Sequence, residues 1–280
     1  MSGPDFDLLR RLTPARVRLD AAALPLPLPA LLSFQEDHAA ARDAIRAPLD
    51  IEALAAALAP RPCLRLESRA TDRATYLRRP DLGRQLAAGT ELPALDCPLA
   101  LVICDGLSAP AVTAQAPGLV AALSARLPEL TGQPAMLVRG GRVAIGDPIG
   151  AALRARMVLV LIGERPGLSV ADSLGAYLTL NPRPGLRDSA RNCVSNIHPR
   201  GGLSPEAAAD RLAWLVQEAR RIGATGVALK DESGQEGLPG PVPQGAGQHG
   251  QGRIPAPRPS REPAAQVRAA RAPWPGDGPA

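Results

Sequence analysis

The chain has 280 residues, enough for one large or two small domains, and an aromatic share of 2% leaves leucine, valine, isoleucine and alanine to build the core. Its formal charge of +5 is carried almost wholly by arginine, Lys230 being the only lysine, and the arginines are scattered with few aromatics among them. That pattern lacks the basic face of a nucleic-acid binder, and no apolar run approaches the roughly 20 residues of a membrane span.

The first nine residues are acidic and carry no basic segment followed by an apolar core, so no secretory signal is expected. To about Pro60 the chain reads as helical. Leu31, Phe34, His38, Ala41 and Ile45 recur at helical spacing, and Asp50 to Leu58 is a strong helix former between prolines. Cys63 to Leu66 suits a short strand, and Asp81 opens a short helix that closes near Gly89. From Leu99 strands and helices alternate. Leu99 to Cys104 reads as a buried strand running into the turn Asp105-Gly106-Leu107-Ser108, and Pro117 to Leu127 as a helix. Ala135 to Val138 is a strand, followed by Gly140-Gly141 and a second apolar patch, Val143 to Ile145. Asp147 is expected to cap a helix that begins at Pro148.

Met157 to Ile162 is continuously apolar and branched, which suits a strand buried on both faces. Gly163, Glu164, Arg165, Pro166 and Gly167 follow at once as a tight, charged turn. Ligands of open α/β sheets sit outside the strand carboxyl ends, so this turn is a candidate binding edge. The alternative is a solvated turn whose Glu164 and Arg165 pair with each other. Ser204-Pro205-Glu206 starts a helix with an apolar face of Ala208, Leu212, Leu215, Val216, Ala219 and Ile222, ended by Gly223, and Val227 to Leu229 reads as a last strand.

The expected fold class is therefore α/β: a mostly parallel open sheet with flanking helices, preceded by a helical amino-terminal region (1–95). The α/β domain spans 96–232, and a Pro/Gly-rich tail (233–280) without apolar period is expected to be disordered. Cys63, Cys97, Cys104 and Cys193 show neither metal-ligand spacing nor a paired framework, which suits reduced thiols in the cytoplasm.

Several segments in order carry a resemblance: TPARVRL (13–19), LLSFQEDHAAARDAI (31–45), YLRRPDLGRQL (76–86), DGLSAPAV (105–112), GRVAIGDPIG (141–150), GERPGL (163–168), RNCVSNIHPRGG (191–202) and GVALKDE (226–232). Together they resemble the small (light) subunit of ethanolamine ammonia-lyase, an adenosylcobalamin-dependent enzyme. The resemblance implies a hetero-oligomer whose large subunit, a TIM barrel, binds ethanolamine and carries the groups around it. The amino-terminal region would pack on that subunit, and the 96–232 domain would cover part of the cobalamin between the chains. It also implies cofactor contacts at Val143, Glu164 and Cys193, with no catalytic residue and no metal ligand on this chain. The implied reaction is the radical conversion of ethanolamine to acetaldehyde and ammonia, in the cytoplasm or a bacterial microcompartment.

Other signals are weaker. Asn196-Ile197-His198-Pro199-Arg200-Gly201 lacks the orienting carboxylate of a DxHxxG cobalt-ligand motif, so His198 is expected to be a loop histidine. Asp37-His38 has no third partner, Asp105 to Ser108 lacks the G-x-S-x-G frame, and Gly140, Gly141 and Gly146 make no dinucleotide fingerprint. The chain departs from the family at Asp20 to Ala23 and at Pro25, Pro27 and Pro29. Two competing readings stand beside the family reading: a non-catalytic corrinoid-binding or assembly module, and a stand-alone enzyme using Cys193 and His198 as nucleophile and base.

Overall fold

A computed structural model describes residues 27–233. The expectations for the first residues, for TPARVRL, for Asp20 to Pro25 and for the tail beyond Ser233 lie outside the described residues. Pro27 precedes the first helix, α1 (Leu28–Arg46), and Pro29 falls in its first turn, where a missing N–H costs nothing. Only the second half of α1 is packed: Ala41 and Ala44 are buried, while Leu28, Leu31, Leu32 and Phe34 face solvent. A short helix, α2 (Ile51–Ala57), follows, its first turn closed by Asp50 accepting from Ala53 N–H at 2.9 Å.

The frame is one six-stranded sheet of β1 (Cys63–Glu67), β2 (Ala100–Cys104), β3 (Ala135–Arg139), β4 (Met157–Gly163), β5 (Leu174–Leu180) and β6 (Arg191–Ile197). Their spatial order is β1-β3-β2-β4-β5-β6. The four strands from β1 to β4 are parallel neighbours, and β5 runs antiparallel to both β4 and β6. The α/β expectation, mostly parallel with flanking helices, therefore holds. Every residue of β2 and β4 is buried, as continuous apolar strands covered on both faces should be.

The two faces are covered unequally. On one, α4 (Ala109–Arg126) and α6 (Pro205–Ile222) pack together with α2 over Leu101, Ile103, Leu137, Leu159, Leu161, Leu178 and Val194. On the other, Val102, Cys104, Val138, Val158 and Val160 meet only the seven-residue helix α5 (Gly146–Ala152) and the loops around it. A short helix, α3 (Arg73–Arg78), carries Arg73 to the carboxyl end of β2 and Tyr76 to that of β3.

Four local expectations are corrected. The helix expected over Pro117 to Leu127 starts eight residues earlier, because Ser108 accepts from Ala111 N–H at 3.2 Å and caps it; Pro117 lies inside it. The helix expected from Asp81 is a single 3₁₀ turn, Leu82–Arg84. Asp147 caps nothing: α5 opens at Gly146 directly from a 3₁₀ turn (Val143–Ile145), and the Asp147 side chain turns inward. The last strand is instead a 3₁₀ turn, Gly226–Ala228. There the Asn192 side chain takes the Gly226 N–H at 2.7 Å and donates to Leu229 O at 2.8 Å, so those backbone groups need no strand ladder.

Candidate functional site

The carboxyl end of β4 is fixed by backbone packing. A Cβ at Gly163 would lie 2.0 Å from Ser108 O, so only glycine lets β4 end against the β2–α4 turn, where Leu107 N–H also donates to Gly163 O at 2.9 Å. Glu164, the next residue, is thereby directed away from β2 toward β5 and β6. Its Oε2 accepts from Ser173 Oγ at 2.5 Å and from Asn196 N–H at 3.2 Å, so its partners are not Arg165. Oε1 lies over Gly175, where a Cβ would come within 3.0 Å of it and 3.3 Å of the Tyr177 ring. Both groups therefore stand on one face of β5.

Asn196 reaches Glu164 because β6 carries a bulge. Leu174 pairs with Ile197 and Ala176 with Val194, so two residues of β6 oppose Gly175 alone, and Asn196 adopts φ 64°. One residue before Val194, Cys193 stands directly across from Tyr177. Val143, Cys193 and Tyr177 line one open cavity of about 360 Å³ together with Arg84, Arg142, Ala144, Asp188 and Arg191. This is the face that α5 leaves bare.

Cys193 is exposed on the floor of that cavity, yet protein on its flanks desolvates it and pushes its thiol above the ordinary range. The Glu164 charge acts in the same direction, and a hydrogen bond from Tyr177 opposes both. The phenol of Tyr177 is itself pushed upward by burial first and then by Cys193 and Glu164, so it stays a proton donor. At the base of the cavity Arg191 forms a two-pronged ion pair with Asp147 and also donates to Thr179 Oγ1.

The structure thus brings Val143 and Cys193 into one cavity and sets Glu164 beside it through Tyr177 and β6. His198 is buried in the turn after β6, with Nδ1 accepting from Arg200 N–H at 3.1 Å. It acts as a loop histidine there, and among the described residues no hydrogen bond joins it to Cys193, whose raised thiol is the reverse of an activated nucleophile. His38 stacks on Phe34, and Asp105 is buried against Arg73 and the Gly141 N–H. Among the described residues no group of three or more His, Cys, Asp and Glu is placed to hold a metal, and no helix is long and apolar enough to cross a membrane.

Tyr177, Arg191 and Ser173 were not identified from sequence. Tyr177 carried a faint signal as one of only two tyrosines, two residues after a glycine on a strand. Arg191 and Ser173 carried none, because what they touch lies 44 and nine residues away.

The family model described as ethanolamine ammonia-lyase light chain (EutC) matches residues 4–230. The chain belongs to the ethanolamine ammonia-lyase light-chain family. A relative from Bradyrhizobium diazoefficiens, named ethanolamine ammonia-lyase small subunit, is 53% identical over 243 residues, which is 82% of this chain and 91% of the relative. Relatives of the same name from Rhodopseudomonas palustris and Azotobacter vinelandii are 53% and 49% identical, over 80% of this chain and 89% and 87% of their own lengths. These relatives are subunits by name, and every residue singled out above falls inside the matched 4–230.

Proposed function

We propose that this chain is the small subunit of an adenosylcobalamin-dependent ethanolamine ammonia-lyase, and that it covers the cobalamin where it meets a large catalytic subunit. The observation that carries this reading is the grouping of Val143 and Cys193 on one cavity with the Glu164 carboxylate held beside it. Family membership supports it, as does the fit of these groups to a corrin rim. That rim bears primary amides, whose N–H groups need acceptors and whose carbonyls need donors. Glu164 has both Oε2 bonds made within the chain, leaving Oε1, over the space Gly175 keeps clear, as a charged acceptor. Val143 gives a flat apolar contact, and Cys193 a small, soft side chain that permits close approach.

Adenosylcobalamin, when bound, would supply the radical chemistry by which ethanolamine is converted to acetaldehyde and ammonia. The residues of this chain bind and orient the cofactor and keep water from its covered face. None of them abstracts a proton from ethanolamine, which sits on the large subunit. The exposed first half of α1, with Leu28, Leu31 and Leu32 toward solvent, is the surface we assign to that subunit. Four free cysteines suit a reducing compartment, the cytoplasm or a microcompartment within it.

The test is co-expression with a large subunit, assayed for acetaldehyde with and without adenosylcobalamin. Activity should need both chains and the cofactor. Cofactor-independent deamination, or no gain on adding this chain, would overturn the reading.

A further inference from the structure

Beneath the cavity lies an interaction that stability alone does not explain. The side chains of Asp147 and Arg191 are 3% and 2% exposed. Arg191 Nη1 donates to Asp147 Oδ1 at 2.7 Å and Nη2 to Oδ2 at 2.8 Å, a parallel fork. Nη1 also donates to Thr179 Oγ1 on β5 at 3.1 Å, and Nε lies 3.6 Å from Asp188 Oδ1. Taking two ions out of water costs several kcal/mol per ion, and an apolar pair of similar volume is often as stable or more so. The fork does what an apolar pair cannot: its planar geometry sets both a distance and an angle.

What it joins is specific. Asp147 is in the first turn of α5, four residues after Val143, with only the 3₁₀ turn between them. Arg191 precedes Cys193 by two residues on β6, so both point to the same face of the sheet. Otherwise α5 is held by apolar contacts such as Ile149 on the sheet and Gly150 against Pro182, and at its far end by Leu95 and Asp96 N–H donating to Leu153 O; the fork is the directional tie from its first turn to β6.

We propose that the Asp147–Arg191 pair is a positioning device that sets the separation of Val143 from Cys193 across the cavity, and hence the shape offered to the cobalamin. This rests on the cobalamin-covering reading above. Asp147 does not line the cavity and Arg191, its side chain 2% exposed, only borders its base, so each acts through its neighbour.

The experiment uses the complex with the large subunit and two variants, the apolar double variant D147L/R191M and the single variant R191K, which keeps the charge but loses the fork. Thermal unfolding, the Kd for cyanocobalamin by absorbance titration, and KM and kcat for adenosylcobalamin are measured. The double variant should unfold at or above the wild-type temperature yet bind cyanocobalamin about tenfold or more weakly, the scale of a small misplacement of binding groups. KM for adenosylcobalamin should rise in step while kcat at saturation is kept. R191K should move the same way by a smaller factor. Wild-type affinity in either folded variant overturns the proposal, and so does failure of both variants to fold, which would make the pair structural. A wild-type complex that takes up no cyanocobalamin refutes the underlying reading instead.

Discussion

Glu164 combines two roles on its two oxygens. Oε2 closes the β6 bulge by accepting from Asn196 N–H and ties down Ser173, while Oε1 stands over Gly175. Glu164→Ala should weaken cobalamin binding by roughly 1 to 3 kcal/mol, the range for a charged acceptor, as read by cyanocobalamin titration of the assembled complex. Unchanged affinity would remove Glu164 from the site. Cys193 gives a pH-dependent readout. Because its thiol is raised, its thiolate fraction near pH 8 is below that of a free cysteine, whose pKa is about 8.5. Alkylation by iodoacetamide, followed at Cys193 by mass spectrometry, should be slower there than for a small thiol and should keep rising above the pH where the small thiol levels off. Asp105 affects stability in the opposite sense to a surface carboxylate. Burial raises its carboxyl pKa despite Arg73 and backbone N–H groups that lower it. A carboxyl raised in the folded state binds its proton more tightly there, so its contribution to stability is lost as pH climbs through the unfolded and then the folded value. Asp105→Asn should therefore gain on the wild type in thermal unfolding as pH rises above the ordinary carboxyl value of about 3.9; a constant difference between the two would refute the assignment.

At the scale of elements, what was legible from sequence was whatever local pattern controls. β2, β4 and α6 are uninterrupted apolar or amphipathic runs with caps at Ser204 and Gly223, and they form where the pattern puts them. β6 was not legible. RNCVSNI alternates poorly because a bulge breaks the two-residue period between Val194 and Ile197. Asp147 shows the same limit: a residue type that suits a cap is diverted by Arg191, 44 positions away. Of the candidate site, the turn at Glu164 could be read from its glycines, whereas Val143 and Cys193 were reachable only through resemblance, since nothing local marks a half-buried valine or an exposed cysteine as a pair. Gly163 joins both levels. With Ser108 O only 2.0 Å from a would-be Cβ, and that neighbour being backbone, Gly163→Ala should cost about 3 kcal/mol or more. Chemical denaturation of the purified chain would measure it, and a loss under 1 kcal/mol would mean that the turn yields.

For the whole molecule, the unequal covering of the sheet suits a subunit more than a self-contained enzyme. One face is sealed by α2, α4 and α6, and the other is left open where β5 and β6 pass beyond α5. The family match ends at residue 230, and the relatives cover about four fifths of the chain. The glycine- and proline-rich remainder has no counterpart in that match, so a chain ended at Ser233 should give the same acetaldehyde turnover and the same thermal unfolding as the full chain. A drop in either on truncation would assign the tail a role.

The bulge at Asn196 has a consequence for the phase of β6. Val194 and Ile197 both face the sealed core although three positions separate them, a spacing that an unbroken strand would send to opposite sides. The extra residue works as a phase shifter: ahead of it the odd positions Arg191 and Cys193 belong to the cavity, and behind it the odd position Ile197 belongs to the core. Loss of one residue from this short stretch would restore an unbroken strand with Val194 and Ile197 still on the core face, and would remove the bulge that turns the Asn196 N–H to Glu164. The extra residue between Val194 and Ile197 therefore serves the Glu164 carboxylate rather than the core.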